Sequence, residues 1–214
     1  GVVPLTGHAI VGTKGGKALS GAVVQAFDAD TGRLSGEARP IDCDSLAVSG
    51  GWQPVIHLAS QAGGKPVWDA EKQAFLPPEP TQRWIGAGAF LGETGSAEAL
   101  ASGRNAGLKS ADKRPSRAKL PETAPSALDL PPAPVLEIRG KGKAFVDFQH
   151  DVTADDVRLA HREGFVSVEH LKRYTTLGMA TDQGKTSNVP GLAIMAAARG
   201  IEIPQAGTTR CRPP

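Results

Sequence analysis

A chain of 214 residues is long enough for one large or two small domains, and a hydrophobic content of 40% supplies a modest core. A formal net charge of +2 argues against a dedicated nucleic-acid binder, while 26 glycines, 17 prolines and 5% aromatics point to extensive loop and linker. Cys43 and Cys211 lack metal-ligand spacing, no apolar run reaches spanning length and no secretory signal opens the chain. The expectation is a soluble, cytoplasmic protein with no membrane partner and no nucleic-acid partner.

The opening Gly1-Val2-Val3 reads as an entry midway into a domain. "GHAIVGT" and "ALSGAVVQAF" are strand-like, and Lys14-Gly15-Gly16-Lys17 between them is a hairpin signal. "DADTGRLSGE" reads as a second turn and "CDSLAVSGGW" as a short apolar strand, with Cys43 a small buried residue at its start. His57 in "VIHL" is expected to pack behind Trp52. "RWIGAGAFLGETGSAEALASGRNAG" runs from an apolar strand through a Gly-rich turn into an Ala-rich helix. A helix start built of small residues lets a cofactor approach the backbone N–H groups; tight strand–helix packing is the competing reading. No Gly-x-Gly-x-x-Gly is present, so any dinucleotide fold here lacks its phosphate-binding half.

Residues 105–135 read as a Pro- and Lys-rich linker, carrying Lys109, Lys113, Arg114, Arg117 and Lys119 before Pro121, Pro125, Pro131, Pro132 and Pro134. With little apolar periodicity it is expected to be extended. Residues 140–206 read as helical. Thr153 and Asp156 form a capping-box pattern for "ADDVRLAHREG", Ser167 caps "VEHLKRYTT", and Asn188-Val189-Pro190 starts a third helix that stops at Gly200. The expected core is Val157, Leu159, Ala160, Val168, Leu171, Ile194 and Ala197.

Between the last two helices stands "LGMATDQGKTSN", which is close to a phosphate loop. Five residues separate Gly178 from Gly184 where a P-loop has four, Asp182 puts a negative charge in the nest, and a helix rather than a strand precedes it. A triphosphate loop is therefore not expected. The five histidines show no metal spacing and are expected to be structural or exposed. "DVRLAHREGFVSVEHLKRY" also has a helix–turn–helix look, which would set Lys172 and Arg173 toward phosphates with Glu169 and His170 near base edges. Glu169 and the near-neutral charge oppose it.

"KAFVDFQHDVTADDVRLAHREGFVSVEHLKRYTTLGMATDQGKTSN" resembles the central helical module of the alpha subunit of heterotetrameric sarcosine oxidases. "CDSLAVSGGWQPVIHLASQAGGKPVWDAEKQAFLP" is similar to that family's Cys-Asp, Ser-Gly-Gly-Trp-x-Pro and His-Leu pattern, and "GTTRCRPP" to the entry of its folate-binding domain. The resemblance implies an α/β fold plus a small all-α module. Residues 1–104 would be the C-terminal part of an NAD-binding, pyridine-nucleotide-disulfide-oxidoreductase-like domain with a β-meander. The linker 105–135 would lead to a helical module over 136–206, and residues 207–214 would begin an aminomethyltransferase-like folate domain. The implied activity is oxidative demethylation of sarcosine to glycine, with the one-carbon unit passed to tetrahydrofolate and electrons to oxygen. Beta, gamma and delta subunits would be partners in a heterotetramer, with NAD in the alpha subunit, FAD in the beta subunit and FMN at the alpha–beta interface.

Aligned by its closing Ala-Leu-x-x-Gly, "GAGAFLGETGSAEALASG" implies NAD contacts at Ala89, Thr94 and Ser96, although Thr94 stands where the family has an apolar residue. For Lys185 and Thr186 two readings stand: contact with the FMN phosphate, or a capped surface turn. The module also resembles bacterioferritin-associated ferredoxins, but neither "FVDFQHDVT" nor "GMATDQGKTS" carries a cysteine, so no iron–sulfur cluster is expected. No acid–base pair or nucleophile is expected in this chain, so no catalytic residue is assigned. A purely structural adaptor is the alternative function, and a helix–turn–helix DNA binder a further one.

Overall fold

The computed structural model describes residues 2–49, 52–112, 119–125, 135–138 and 142–207. It falls into two compact units, one drawing on 1–50 and 133–209 and the other on 51–132. The architecture is mixed α and β, and every sheet among the described residues is antiparallel.

In the first unit, β1 (His8–Gly15), β2 (Leu19–Asp28) and β3 (Arg33–Asp42) form a meander with β2 in the middle. The first hairpin lies where the Gly-Gly pair predicts it. The third strand does not: β3 occupies the stretch expected partly as a turn, and "CDSLAVSGGW" forms no strand among its described residues. Hydropathy hides β3 because it is exposed along its whole length, as suits an edge strand. Only Ala22 and Val24 of the meander are fully buried apolar side chains. Cys43 is half-buried and follows the end of β3.

The second unit holds a short helix, α1 (His57–Gln61), then a hairpin of β4 (Val67–Asp69) with β5 (Ala74–Leu76). Trp68 packs edge-on against Phe75, which is buried. His57 is buried in α1, but Trp52 is exposed, so the expected packing of one behind the other is not present. The expected apolar strand at Arg83–Ile85 is absent. That stretch leads into a single 3-10 turn, Gly88–Leu91, and then α2 (Ser96–Ser110). α2 continues through Ser110, six residues into the stretch expected as linker, since Ala106, Leu108 and Lys109 favour helix and the single Gly107 costs only about 1 kcal/mol. Lys119, Pro121 and Pro125 have no regular structure, as expected. Lys113, Arg114, Arg117, Pro131, Pro132 and Pro134 lie outside the described residues.

The helical module, back in the first unit, opens on a hairpin rather than a helix, so it is not all-α. β6 (Phe145–Asp147) pairs with β7 (Val152–Thr153). Then come α3 (Ala154–Arg162), α4 (Val168–Thr175), α5 (Asn188–Arg199) and α6 (Ile203–Ala206). The Thr153 capping box is formed in full: the Asp156 N–H donates to Thr153 Oγ1 at 3.2 Å, and the Thr153 N–H donates to Asp156 Oδ2 at 2.8 Å. Gly200 ends α5 in the left-handed conformation, at φ 65°. Val157, Ala160, Leu171 and Ile194 are core, together with Val146, Val152, Ala154, Leu177 and Met195. Val168 is also buried. Leu159 is only half-buried and Ala197 is exposed, since they fall at the edge of their helices' buried stripes.

All three four-residue hairpin loops use one device. β2, β4 and β6 each end on an aspartate, and its Oδ1 accepts the N–H groups two and three residues on. Asp28 takes those of Asp30 and Thr31 (2.9 and 3.3 Å), Asp69 those of Glu71 and Lys72 (2.9 and 2.8 Å), and Asp147 those of Gln149 and His150 (2.9 and 3.2 Å). The residue before each return strand is left-handed: Gly32, Gln73 and Asp151 have φ of 66°, 48° and 56°. The side chain satisfies turn amides that have no ladder partner, and the left-handed residue brings the chain back into register.

Candidate functional site

The first group of expected site residues, Ala89, Thr94 and Ser96, lies on one continuous turn and helix start in the second unit. Gly86 precedes it, where a Cβ would come within 2.5 Å of the Phe90 ring, so a larger residue would force that ring to shift. The Gly88 N–H donates to Ser102 Oγ on α2 at 2.9 Å and to Glu93 Oε2 at 3.2 Å. The Glu93 N–H donates to the Gly88 carbonyl at 3.2 Å, which brings together the neighbours of Ala89 and Thr94. Ala89 is exposed, Thr94 half-buried, and Ser96 exposed as the first residue of α2. Gly95 is the N-cap and, having no side chain, gives the first-turn amides no cap of its own. This surface has small side chains at a helix start, so it suits a polar cofactor group. Glu98 in the first turn opposes a fully charged phosphate there.

The second group is the loop Leu177–Ser187 between α4 and α5, in the first unit. Three of its amides, those of Gly178, Gly184 and Thr186, are turned toward carboxylates of the protein itself. The Gly178 N–H donates to Asp147 Oδ2 at 2.9 Å and the Ser187 hydroxyl to the same oxygen at 3.4 Å. The Gly184 N–H donates to Asp182 Oδ1 at 3.1 Å, while the Thr186 N–H and hydroxyl donate to Asp182 Oδ2 at 3.2 and 2.8 Å. Burial pushes the Asp182 carboxyl up, but the hydrogen bonds from Thr186 and Gly184 and the nearby Lys185 charge outweigh it and hold the pKa below 3.8. Gly178 and Gly184 are left-handed, at φ 67° and 76°, and a Cβ on either would come within 2.4 and 2.3 Å of Asn188 Oδ1. These glycines admit the Asn188 side chain. Thr186 is committed to Asp182; Lys185 is exposed, beside the same carboxylate.

Asp147 is the residue that the sequence reading passed over. It is 2% exposed, and its two oxygens join the β6–β7 turn to the loop before α5. The available signal was an aspartate at the end of a short apolar run, the pattern also found at Asp28 and Asp69. Of residues 207–214, expected to begin a folate domain, all but Gly207 lie outside the described residues, Cys211 among them. Among the described residues no three His, Cys, Asp or Glu side chains are grouped to hold a metal ion, and no helix is long and apolar enough to cross a membrane.

Comparison with known proteins bears on both loci. The sarcosine oxidase subunit alpha of Rhizobium meliloti (strain 1021) is 45% identical over 210 residues, which cover 95% of this chain and 20% of that protein. The sarcosine oxidase subunit alpha of Corynebacterium sp. (strain U-96) is 38% identical over 230 residues, covering 100% of this chain and 23% of that one. The chain is a homologue of the sarcosine oxidase alpha subunit. It spans about a fifth of the length of these alpha subunits. The family described as Sarcosine oxidase A3 domain matches residues 141–214, the stretch that holds the module and the Leu177–Ser187 loop. The crystal structure of L-proline dehydrogenase from P. horikoshii shares the fold, with a TM-score of 0.57 at 18% identity over 96% of this chain and 42% of that one. The alpha-subunit relationship thus spans both loci.

Proposed function

We propose that this chain is an internal portion of a sarcosine oxidase alpha subunit. The whole enzyme would oxidatively demethylate sarcosine to glycine, pass the one-carbon unit to tetrahydrofolate and deliver electrons to oxygen. The observation that carries this reading is the 45% identity to such a subunit over 95% of the chain. On this reading residues 1–104 complete an NAD-binding domain of the pyridine-nucleotide-disulfide-oxidoreductase kind. The meander fits that domain's second half, and the module after it would stand at the interface with an FMN-bearing beta subunit.

In that assembly Ala89, Thr94 and Ser96 would hold NAD. Ala89 offers an exposed methyl group that leaves the backbone approachable, and Ser96 a hydroxyl in the first turn of α2, behind a glycine N-cap. NAD would supply pyridine-nucleotide redox chemistry there. For the FMN phosphate the fit is narrower: Thr186 already donates twice to Asp182, so Lys185 is the group of that pair left to meet a phosphate. The test is the NAD content of purified full-length alpha subunit. Ala89→Leu is expected to empty the site by steric overlap and Ser96→Ala to lower its occupancy. Wild-type NAD content in Ala89→Leu would remove this turn from the cofactor site.

A further inference from the structure

The far end of α2 carries a groove of about 760 Å³ that the proposed function does not use. It lies between the segment Arg83–Ile85 and the last turn of the helix, where Lys109 and Ser110 face it. At 1.5 Å rise per residue the two ends of α2 are about 20 Å apart, which separates this groove from Ser96. Its lining contains two cations and no carboxylate. Arg83 and Lys109 are both exposed, and among the described residues neither side chain has an ion-pair or hydrogen-bond partner. Two like charges gathered at one concavity repel each other unless an anion lies between them.

The walls add apolar surface. Trp84 is half-buried and packs edge-on against Phe90, with ring centroids 5.4 Å apart, and Ile85 is partly exposed. The Trp84 Nε1 is buried and has no acceptor among the described residues, so packing alone holds this ring. The carbonyls of Gly107 and Lys109 are already taken by the N–H groups of Ala111 and Asp112, which limits their repulsion of an incoming anion. The volume exceeds what a bare ion fills and falls in the range of small-molecule sites.

We propose that this groove binds the phosphoryl group of a small phosphate ester between Arg83 and Lys109, with the organic part of the ester against Trp84 and Ile85. Arginine and lysine supply charge-assisted donors from two different elements, an arrangement that recognises a dianion rather than a chloride.

The test uses the indole N–H signals of Trp52, Trp68 and Trp84 in proton–nitrogen spectra of the full chain, with Trp84→Phe identifying the third. AMP is the probe, at ionic strength matched with sodium chloride, and adenosine is the control. AMP is expected to shift the Trp84 signal saturably and adenosine to leave it in place. Arg83→Ala or Lys109→Ala should weaken the AMP response at least tenfold, and Ala89→Leu should preserve it. No saturable shift, equal affinity in the Arg83→Ala/Lys109→Ala double variant, or loss of binding in folded Ala89→Leu would overturn the proposal. The last result would instead place AMP at the Ala89 turn.

Discussion

Asp28, Asp69 and Asp147 end their strands with the same pair of turn hydrogen bonds, yet only Asp147 sends its second oxygen into another element. That difference predicts a difference in energy. Asp69→Ala loses two turn bonds at a partly solvated site and is expected to cost about 1 kcal/mol. Asp147→Ala also strands the Gly178 amide and the Ser187 hydroxyl in the interior, so a loss of roughly 2–4 kcal/mol is expected in urea unfolding. Equal losses for the two variants would show that the second oxygen contributes little. Asp182 makes a pH-dependent contribution. Its folded pKa lies below 3.8, so its stabilisation is fully present above that value and disappears as pH falls through the folded pKa. The stability gap between wild type and Asp182→Asn should therefore be widest at neutral pH and close in acid, below 3.8. A gap independent of pH would mean that the variant acts through packing.

At the scale of elements, the module depends on how its helices start and stop. Thr153 is buried at the start of α3 and closes a reciprocal pair of bonds with Asp156. Thr153→Ala should cost about 0.5–2 kcal/mol, measured as a shift of the urea midpoint at unchanged slope. Ser167 also precedes a helix but makes no side-chain cap bond, so Ser167→Ala should lie well below that range. Arg158 works differently: it reaches Glu137 at 2.5 Å and Asp155 at 3.1 Å, tying the segment before β6 to α3. Both carboxylates raise its pKa, with the Glu137 hydrogen bond the largest cause, so the guanidinium stays charged throughout the accessible pH range.

For the whole molecule, the proposed division of labour has a direct consequence. Sarcosine chemistry would lie with the FAD-bearing partner, and the described residues contain no cluster of metal-ligating side chains. The full alpha subunit is expected to show no sarcosine turnover alone and to gain it with the beta subunit. Turnover by this chain alone would overturn the assignment. Iron and sulfide analysis after anaerobic purification should find neither, because "FVDFQHDVT" and "GMATDQGKTS" offer no thiolate. Stoichiometric iron would mean that the module has another ligand set.

Local chemistry determined much of this protein. The Gly15-Gly16 hairpin, the Thr153–Asp156 box and the Gly200 stop are all legible in a few neighbouring residues, because turns and caps are satisfied within one or two turns of chain. β3 was not legible: an edge strand exposed on both faces has no hydropathy alternation, and its place is set by pairing with β2. Nor was the purpose of Gly178 and Gly184. The loop resembled a phosphate loop with the wrong spacing and Asp182 in its nest, but only the tertiary structure brings Asp147, from as far away as β6, and the Asn188 side chain against these glycines. The groove at Arg83 and Lys109 has the same character, since 26 positions of sequence separate two charges that only the return of α2 along its preceding segment brings to one concavity. Sequence spacing sets what neighbours can satisfy; which distant group fills a turn, or which charges stay unpaired together, is settled when the chain packs.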